Sequence, residues 1–308
     1  MTGSAQQVLK ATTHMAALRA RPEMARYLAI ELIKAGRRGA VFSGYDRDRR
    51  VVIKLHYGAE GREEAAAAAR AMMRLEAWMD AGADRVPLLL DHLAEDGVIV
   101  AEFAPGVRLD RLMAERPHDR AALIARAATW LTVCSGHAAA REAFQGRFWI
   151  KSRAASLEGL EGPDADMAQR LLSEISGLRD RLAGREFAKY YAHGDWAPHN
   201  MIVDGDTVFG VDIAVRRPIL RAKDIARFLV YLVAHVPGPA PLCDGVPVGD
   251  LEAMSRLPEA GDAQLMRFFI GVELADKFAR NHGRDAVSSR VRGAIGPYLD
   301  AEARPQSP

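Results

Sequence analysis

The pattern of apolar and polar positions changes character near residue 105 of the chain. Before that point, short apolar runs separated by turn-forming residues predict β-strands, accompanied by two helices. After it, apolar residues recur every three to four positions over long stretches, which predicts helices. The sequence therefore predicts an α+β fold with a small strand-rich lobe, residues 1–104, and a larger helical lobe, residues 105–308.

The first lobe is predicted to begin with a helix and to continue with a hairpin. Leu, Met and Ala at helical spacing predict one helix from the N-terminus to about Ala35, where glycines follow. Residues 39–57 predict a hairpin with its turn at residues 46–49 and a β-branched strand that ends on Lys54. An Ala-rich segment predicts a second helix. That helix is expected at residues 62–82, and two further strands at residues 86–93 and 97–103.

The helical pattern of the second lobe is interrupted by one predicted hairpin. Residues 200–214, NMIVDGDTVFGVDIA, contain two apolar runs around Asp204-Gly205-Asp206, which predicts two strands joined by a tight turn. The helices of this lobe are predicted at residues 119–140, 164–184, 222–236, 262–283 and 287–301.

Composition and net charge argue against several classes of function. Of the 308 residues, 49% are hydrophobic and 27% charged, as in ordinary soluble proteins. Lys and Arg number 42 against 40 for Asp and Glu, so the net charge gives no indication of a nucleic-acid or membrane partner. The two cysteines have no metal-type spacing, which argues against a disulfide scaffold or a structural zinc site. Without a signal peptide or a membrane-spanning run, the protein is expected to be cytoplasmic, and no protein partner is evident.

A candidate chemical site lies in the segment HGDWAPHN, His193 to Asn200, and the hairpin that follows it. The Asp195 carboxylate, placed in a loop, can accept a proton from an attacking hydroxyl or orient that hydroxyl. Asn200 offers an amide oxygen, a ligand suited to Mg²⁺. Asp212 is expected to return to the same region because the hairpin folds back on itself. Each residue alone is a common turn former, but the ordered set predicts a Mg²⁺-nucleotide site.

These residues, followed by Asp224-Ile225-Ala226, resemble the catalytic core of the aminoglycoside phosphotransferase and choline kinase group, which has a protein-kinase-like fold. In that group the catalytic loop has the pattern H-G-D-x-x-x-x-N. The resemblance implies that Asp195 is the catalytic base or hydroxyl-orienting group and that His193 braces the loop. Asn200 and Asp212 would hold Mg²⁺.

The resemblance also implies a subclass and a structural residue. Gly194 stands where protein kinases usually carry Arg, and small-molecule kinases of this group carry Gly there. Asp224 would be a structural residue that takes no part in the reaction. A small-molecule hydroxyl acceptor and ATP as phosphoryl donor are therefore expected.

In the first lobe, the resemblance implies that Lys54 holds the α- and β-phosphates of the nucleotide. Its acidic partner should come from the Ala-rich helix. Glu63, Glu64 and Glu76 are all available; Glu64 is favoured by its place in the first turns, although acids are common there for helix-dipole reasons. The backbone groups of Glu102, Phe103 and Ala104 would meet adenine.

One expected motif of the kinase fold is missing. The segment AGRRGAVFSG contains three glycines but no G-x-G-x-x-G, a departure that members of the group often show. A Walker A sequence is also absent, which excludes a P-loop NTPase.

The nature of the acceptor is suggested by a basic cluster after Asp212. If these basic residues face the cleft, an anionic or sugar acceptor is favoured over a polycationic aminoglycoside; the alternative is a solvated basic surface. His199, Trp196 and residues 144–151 are further candidate acceptor contacts. The basic cluster comprises Arg216, Arg217, Arg221 and Lys223.

The leading hypothesis is an ATP-dependent kinase that transfers the γ-phosphoryl group directly to a small-molecule hydroxyl. A lipopolysaccharide- or sugar-type kinase of the same fold keeps the same chemistry. A nucleotide-binding pseudokinase scaffold is a different class, supported by the missing glycine motif and the uncertain partner of Lys54. A metal-dependent hydrolase is the weakest alternative, because it would need more His ligands and leaves Lys54 unexplained.

Overall fold

A computed structural model describes residues 4–79, 82–213, 215–283 and 285–300. The chain divides into two compact units. Unit 1 comprises Met1–Gly106 and Ile202–Arg216, and unit 2 comprises Val107–Met201 and Arg217–Pro308. The division into a nucleotide-binding lobe, residues 1–104, and a catalytic and acceptor-binding lobe, residues 105–308, stays a prediction. None of the described helices is long and apolar enough to cross a membrane.

The described elements occur along the chain in this order. The helices are α1 (Ala5–Leu18), α2 (Gly58–Met79), α3 (Leu109–Glu115), α4 (Arg120–Ser135), α5 (Arg147–Leu157), α6 (Gly162–Leu182), α7 (Arg221–His235), α8 (Val248–Ala253), α9 (Ala263–Asn281) and α10 (Asp285–Asp300). The strands are β1 (Tyr27–Ala35), β2 (Gly39–Asp46), β3 (Arg49–His56), β4 (Asp84–Arg85), β5 (Leu89–Leu93), β6 (Val98–Glu102), β7 (Val107–Arg108), β8 (Ala140–Ala143), β9 (Glu186–Lys189), β10 (Met201–Asp204), β11 (Thr207–Gly210), β12 (Leu242–Cys243) and β13 (Val246–Pro247).

Unit 1 is built on a five-stranded antiparallel sheet in the order β1-β2-β3-β6-β5. Residues alternate along β3, so that Val51, Ile53 and Leu55 are buried in a core that also contains α1. Lys54 lies between them in sequence and, by the two-residue period of a strand, faces the opposite side of the sheet. The predicted hairpin is confirmed as β2 and β3.

The predicted helix to Ala35 is wrong in its second half. The helix α1 ends at Leu18, Pro22 begins a short 3-10 turn, and residues 27–35 form β1, which pairs with β2. Proline favours the first turn of a helix and interrupts the middle of one, which separates α1 from β1. Leu, Ala, Glu and Lys in β1 are good helix formers, but strand pairing overrides that weak preference.

Gly106 allows the chain to pass close to β10 in unit 1. Its φ is +104°, and a Cβ atom built there would lie 2.2 Å from the carbonyl oxygen of Val203. We expect Gly106→Ala to lower the free energy of unfolding by about 1–3 kcal/mol from backbone strain alone, with a further loss from the collision. Urea unfolding of the full chain measures the change.

The matched control for this prediction is Gly205→Ala in the β10–β11 turn. Gly205 also has a positive φ, +56°, but an added Cβ atom would meet nothing within 4 Å. The control should therefore cost only about 1 kcal/mol, the strain of a left-handed residue. Equal losses at the two positions would show that the approach to Val203 is unimportant.

Unit 2 is helical and is centred on α9, which packs against α5, α6, α7 and α10. Both α7 and α9 are buried along most of their length, and aromatic side chains fill the space beside α9, among them Phe144, Trp149 and Phe268. The predicted helices and the predicted hairpin at residues 200–214 are confirmed within a few residues, although Ala214 and Ala301 lie outside the described residues. The helix α5 was not predicted.

Candidate active site

The loop that contains His193 is held through its backbone by a carboxylate of α7. Asp224 is fully buried, and its Oδ2 accepts hydrogen bonds from the backbone N–H groups of His193, at 3.0 Å, and Gly194, at 2.8 Å. Gly194 has a φ of +83°, a conformation that a side chain would oppose. The pattern H-G-D thus gives a sharp turn whose two N–H groups converge on one carboxylate oxygen.

Within this loop, Asp195 is bonded to the residues at both ends of the motif. The backbone N–H of Asp195 donates to His193 Nδ1 at 3.3 Å. The amide nitrogen of Asn200 donates to the backbone oxygen of Asp195 at 3.0 Å and to its Oδ2 at 3.4 Å. The structure therefore brings together the three loop residues predicted as site residues. Because the Asn200 amide nitrogen faces Asp195, its amide oxygen points away from that carboxylate.

A residue that the sequence reasoning missed also contacts Asp195. Arg227 Nε lies 2.9 Å from Asp195 Oδ1, and the two side chains are 24% and 37% exposed. Arg227 is three residues after Asp224, so both project from one face of α7 towards the same loop. This helical spacing was a signal available in the sequence. Oδ1 of Asp195 is therefore in an ion pair, whereas Oδ2 has only the long hydrogen bond from Asn200.

In unit 1, the structure brings together Lys54 and Asp212. The Lys54 ammonium group forms an ion pair with Asp212 Oδ1. Asp212 has a φ of +61°, an unusual conformation for a residue other than glycine. Strained backbone of this kind is concentrated at functional sites, where the surrounding structure holds a side chain in a required position.

Glu64 lies in the same unit, with other partners. Its carboxylate is 3.4 Å from Arg216 and 3.7 Å from His56 Nδ1. Burial, followed by the charge of Lys54, lowers the pKa of His56, while Glu64 acts in the opposite direction. The pairing of Glu64 with Lys54 stays a prediction.

The segment Glu102, Phe103 and Ala104 lies at the end of β6 in the sheet of unit 1. The backbone N–H groups of Glu102 and Phe103 donate to Leu88, at 2.9 Å, and Arg50, at 3.0 Å. Among the described residues, the Ala104 N–H has no such acceptor. It is therefore the donor of the three that is available to a ligand.

The basic cluster predicted at the acceptor does not behave as one surface. Arg221 is buried, pairs with Glu259 and lies over the Tyr190 ring, so it fits neither the cleft-facing nor the solvated interpretation. Arg216 is the partner of Glu64. The remaining members, Arg217 and Lys223, are exposed and partly exposed.

Aromatic residues named as candidate acceptor contacts belong largely to the core. Trp196 is fully buried and stacks on Phe228 with ring centroids 4.3 Å apart, so the prediction that it contacts the acceptor is wrong. Phe144 and Trp149 pack on the aromatic residues of α9. His199 is only partly buried, and its ring stacks on Tyr231.

The donor set available to a metal is small. Over residues 4–79, 82–213, 215–283 and 285–300, no group of three or more His, Cys, Asp or Glu side chains is arranged to hold a metal ion. The two predicted ligands, Asn200 of unit 2 and Asp212 of unit 1, would supply one amide and one carboxylate oxygen. Such a set fits Mg²⁺, which is usually bound by one or two carboxylates together with phosphate and water oxygens.

The chain matches one protein family over most of its first two thirds. The model of the phosphotransferase enzyme family matches residues 29–211, which is more than half of the chain. No curated protein matches the chain at a significant level.

Solved structures show the same fold. A thermostable mutant of aminoglycoside phosphotransferase APH(4)-Ia, in a ternary complex with AMP-PNP and hygromycin B, has a TM-score of 0.65 at 13% identity, covering 96% of this chain and 100% of its own. A choline/ethanolamine kinase family protein from Mesorhizobium loti has a TM-score of 0.54 at 19% identity, covering 92% and 98%. Choline kinase from Cryptosporidium parvum has a TM-score of 0.58 at 11% identity, covering 94% of each chain. The predicted α+β, protein-kinase-like fold is confirmed.

Proposed function

Because the chain belongs to the phosphotransferase enzyme family, we propose that it transfers the γ-phosphoryl group of ATP directly to a hydroxyl group of a small molecule. The family match confirms the predicted resemblance and the predicted class of enzyme, a kinase with an alcohol group as acceptor. The observation that carries the proposal is the Asp195 carboxylate, held by Arg227 and Asn200 on a loop whose backbone is bound to Asp224.

Asp195 would act as the catalytic base or orient the attacking hydroxyl. Its Oδ1 is paired with Arg227, so the proton of the hydroxyl would pass to Oδ2, which has only a long hydrogen bond from Asn200. His193 would fix the direction of this carboxylate through its bond to the Asp195 N–H. A carboxylate positioned in this way needs no covalent intermediate, since its task is to remove a proton as the hydroxyl attacks.

Mg²⁺ would be held by Asn200 and Asp212. Support comes from the chemistry of the two ligands and from their order, because Asn200 precedes β10 and Asp212 comes after β11 of one hairpin. When bound, Mg²⁺ neutralises charge on the β- and γ-phosphates. Asn200 would offer the amide oxygen that points away from Asp195.

The nucleotide would be bound by residues of unit 1. Lys54 would exchange its ion pair with Asp212 for the α- and β-phosphates, with Glu64 as its acidic partner in the nucleotide-bound state. Adenine would meet the carbonyl of Glu102 and the free N–H of Ala104, with Phe103 between them. Binding of AMP-PNP and ADP by structures of this fold supports ATP as the donor.

The acceptor would be a small molecule rather than a protein. Hygromycin B is bound in a structure that shares this fold, and other relatives in fold are choline kinases. A lipopolysaccharide- or sugar-type acceptor would use the same residues. A pseudokinase scaffold is the remaining alternative, and it predicts nucleotide binding without transfer.

The proposed function is tested by phosphoryl transfer from radiolabelled Mg²⁺-ATP to a panel of aminoglycosides, amino alcohols, sugars and lipopolysaccharide-core fragments. We expect transfer to at least one class by the wild-type protein. Lys54→Ala should weaken ATP binding by about tenfold or more, because it removes a charged contact to phosphate. Lys34→Ala removes an exposed lysine of β1 and should change nothing.

The outcomes of this test separate the alternatives. ATP binding that depends on Lys54, without transfer or hydrolysis, would favour the scaffold. ATP binding that is insensitive to Lys54→Ala would contradict the assigned nucleotide site, since the matched control reports only the loss of a surface charge.

A further inference from the structure

A column of three rings in unit 2 leads from the catalytic loop to a half-buried lysine. The ring of His199, next to Asn200, stacks on Tyr231 with centroids 4.7 Å apart. Tyr231 in turn contacts the ring of His235 at 4.4 Å. Lys277 Nζ lies 3.4 Å from His235 Nε2 and 5.1 Å from the centre of the Tyr231 ring. The ammonium group is thus placed against aromatic rings rather than against an acid.

In the part of the chain that the structure describes, no carboxylate lies within ion-pair distance of Lys277. The charges of Glu273 and Asp195 reach it only from farther away. Burial, together with the charge of Lys277, lowers the pKa of His235 to about 4, so His235 is uncharged at neutral pH and can accept a hydrogen bond from the Lys277 ammonium group. A half-buried cation that is not directly paired with a carboxylate is costly, and an anionic ligand would relieve that cost.

Arg227 adds a second positive charge to the same region. It pairs with Asp195 Oδ1, and its charge, after burial, lowers the pKa of Lys277. The ion pair is made through Nε, and a guanidinium group carries five N–H donors. Lys277 and Arg227 are therefore two cations near the predicted base.

Two acidic side chains near the ring column, Asp110 and Asp276, already have basic partners, whereas Glu273, one turn before Lys277 on α9, acts on Lys277 through its charge from farther away. Asp110 binds Arg108 and accepts a hydrogen bond from the Tyr231 hydroxyl at 2.9 Å. On α9, Asp276 forms ion pairs with Arg153 and, at 2.9 Å, with Arg280. A polycationic acceptor would have to displace these basic partners. An anion would instead meet Lys277, which has no carboxylate within ion-pair distance among the described residues.

We propose that the acceptor carries an anionic group, a carboxylate or a phosphate, and that Lys277 and Arg227 bind this group beside Asp195. The inference rests on the proposed function, because it assigns a substrate class to the same site. Lys277 would act as a point charge, and Arg227 would offer its remaining N–H donors to the anion. A hydroxyl group of the same molecule would then be directed to Asp195.

The test measures anion binding to protein whose nucleotide site is already filled. Wild-type protein saturated with Mg²⁺ and AMP-PNP is titrated calorimetrically at low ionic strength with inorganic phosphate, glucuronate, glucose or glucosamine. We expect saturable binding of phosphate or glucuronate, about tenfold or more tighter than that of glucose and glucosamine. Phosphate alone or glucuronate alone would identify the anionic group. No binding of either anion, or glucosamine binding as tight as theirs, would overturn the proposal.

Variants locate the anion at Lys277. Lys277→Met removes the charge and keeps an unbranched side chain against Tyr231, so phosphate affinity should fall by about tenfold or more while AMP-PNP affinity is retained. Arg170→Gln removes one exposed charge from α6 and should have no effect. Unchanged phosphate binding in Lys277→Met would refute the assignment.

The two proposals can fail separately. Anion binding requires no turnover, so a protein that binds phosphate through Lys277 but transfers none from ATP would contradict only the proposed function. If Lys277→Met does not fold, the comparison of anionic, neutral and cationic probes on the wild-type protein still decides the question.

Discussion

Replacing Asp195 by Asn is expected to reduce the rate of phosphoryl transfer by roughly 10²–10⁴-fold, the usual contribution of a positioned acid or base. Asn has nearly the same shape, but its amide cannot accept the proton of the attacking hydroxyl. The substitution also removes the ion pair with Arg227. Both side chains are partly exposed, so this loss should cost about 1 kcal/mol of folding free energy or less.

The measurement compares kcat and the affinity for AMP-PNP on the same preparation. AMP-PNP affinity should be retained, because Lys54 and the segment after β6 are untouched. Asp166→Asn is the control, since it makes the same chemical change on the exposed side of α6. If the Asp195→Asn protein transfers phosphate at the wild-type rate, Asp195 takes no part in the reaction.

The second large effect is expected at Asp224, which touches no substrate in the proposed function. Asp224→Ala leaves the backbone N–H groups of His193, which is fully buried, and Gly194, which is partly buried, without their acceptor. Each unsatisfied donor costs about 1–3 kcal/mol, so we expect a loss of roughly 2–6 kcal/mol in the free energy of unfolding. Because Asp195 is the next residue of the loop, kcat should also fall, by about 10²-fold for a displacement near 1 Å.

Asp224→Asn separates positioning from general destabilisation. Its amide oxygen can accept the same two hydrogen bonds, but its NH₂ group would replace an Oδ1 atom that has no hydrogen-bond partner among the described residues. We therefore expect stability and kcat between those of the wild type and Asp224→Ala. Urea unfolding gives the stabilities, and kcat is measured at a temperature where all three proteins are folded. An Asp224→Ala protein as stable as the wild type would contradict the role of this carboxylate.

The sequence predicted the parts of the fold that are set by local patterns. Helical periodicity located α6 and α9, and β-branched residues with turn-forming neighbours located β2 and β3. The strand β1 was not predicted, because its composition favours a helix and its conformation depends on pairing with β2. Pro22 was the local signal from which the end of the first helix could have been predicted.

Within the site, local spacing again separates the predictable contacts from the unpredictable ones. Asp195 and Asn200 are five residues apart in one loop, so their proximity is a consequence of the motif. Arg227 could have been found from its three-residue spacing to Asp224 on α7. Lys277 lies on a distant helix, and its place against Tyr231 depends on tertiary packing alone.

The ion pair between Lys54 and Asp212 determines which charge would be left without a partner when a nucleotide binds. Each of the two groups serves as the counter-ion of the other. A nucleotide that arrives without a divalent cation would take Lys54 for its phosphates and leave Asp212 as an uncompensated negative charge facing them. Under the proposed function, metal and nucleotide would therefore be thermodynamically linked, so that each would favour the binding of the other. The protein would in this way discriminate against metal-free nucleotide before any acceptor is present.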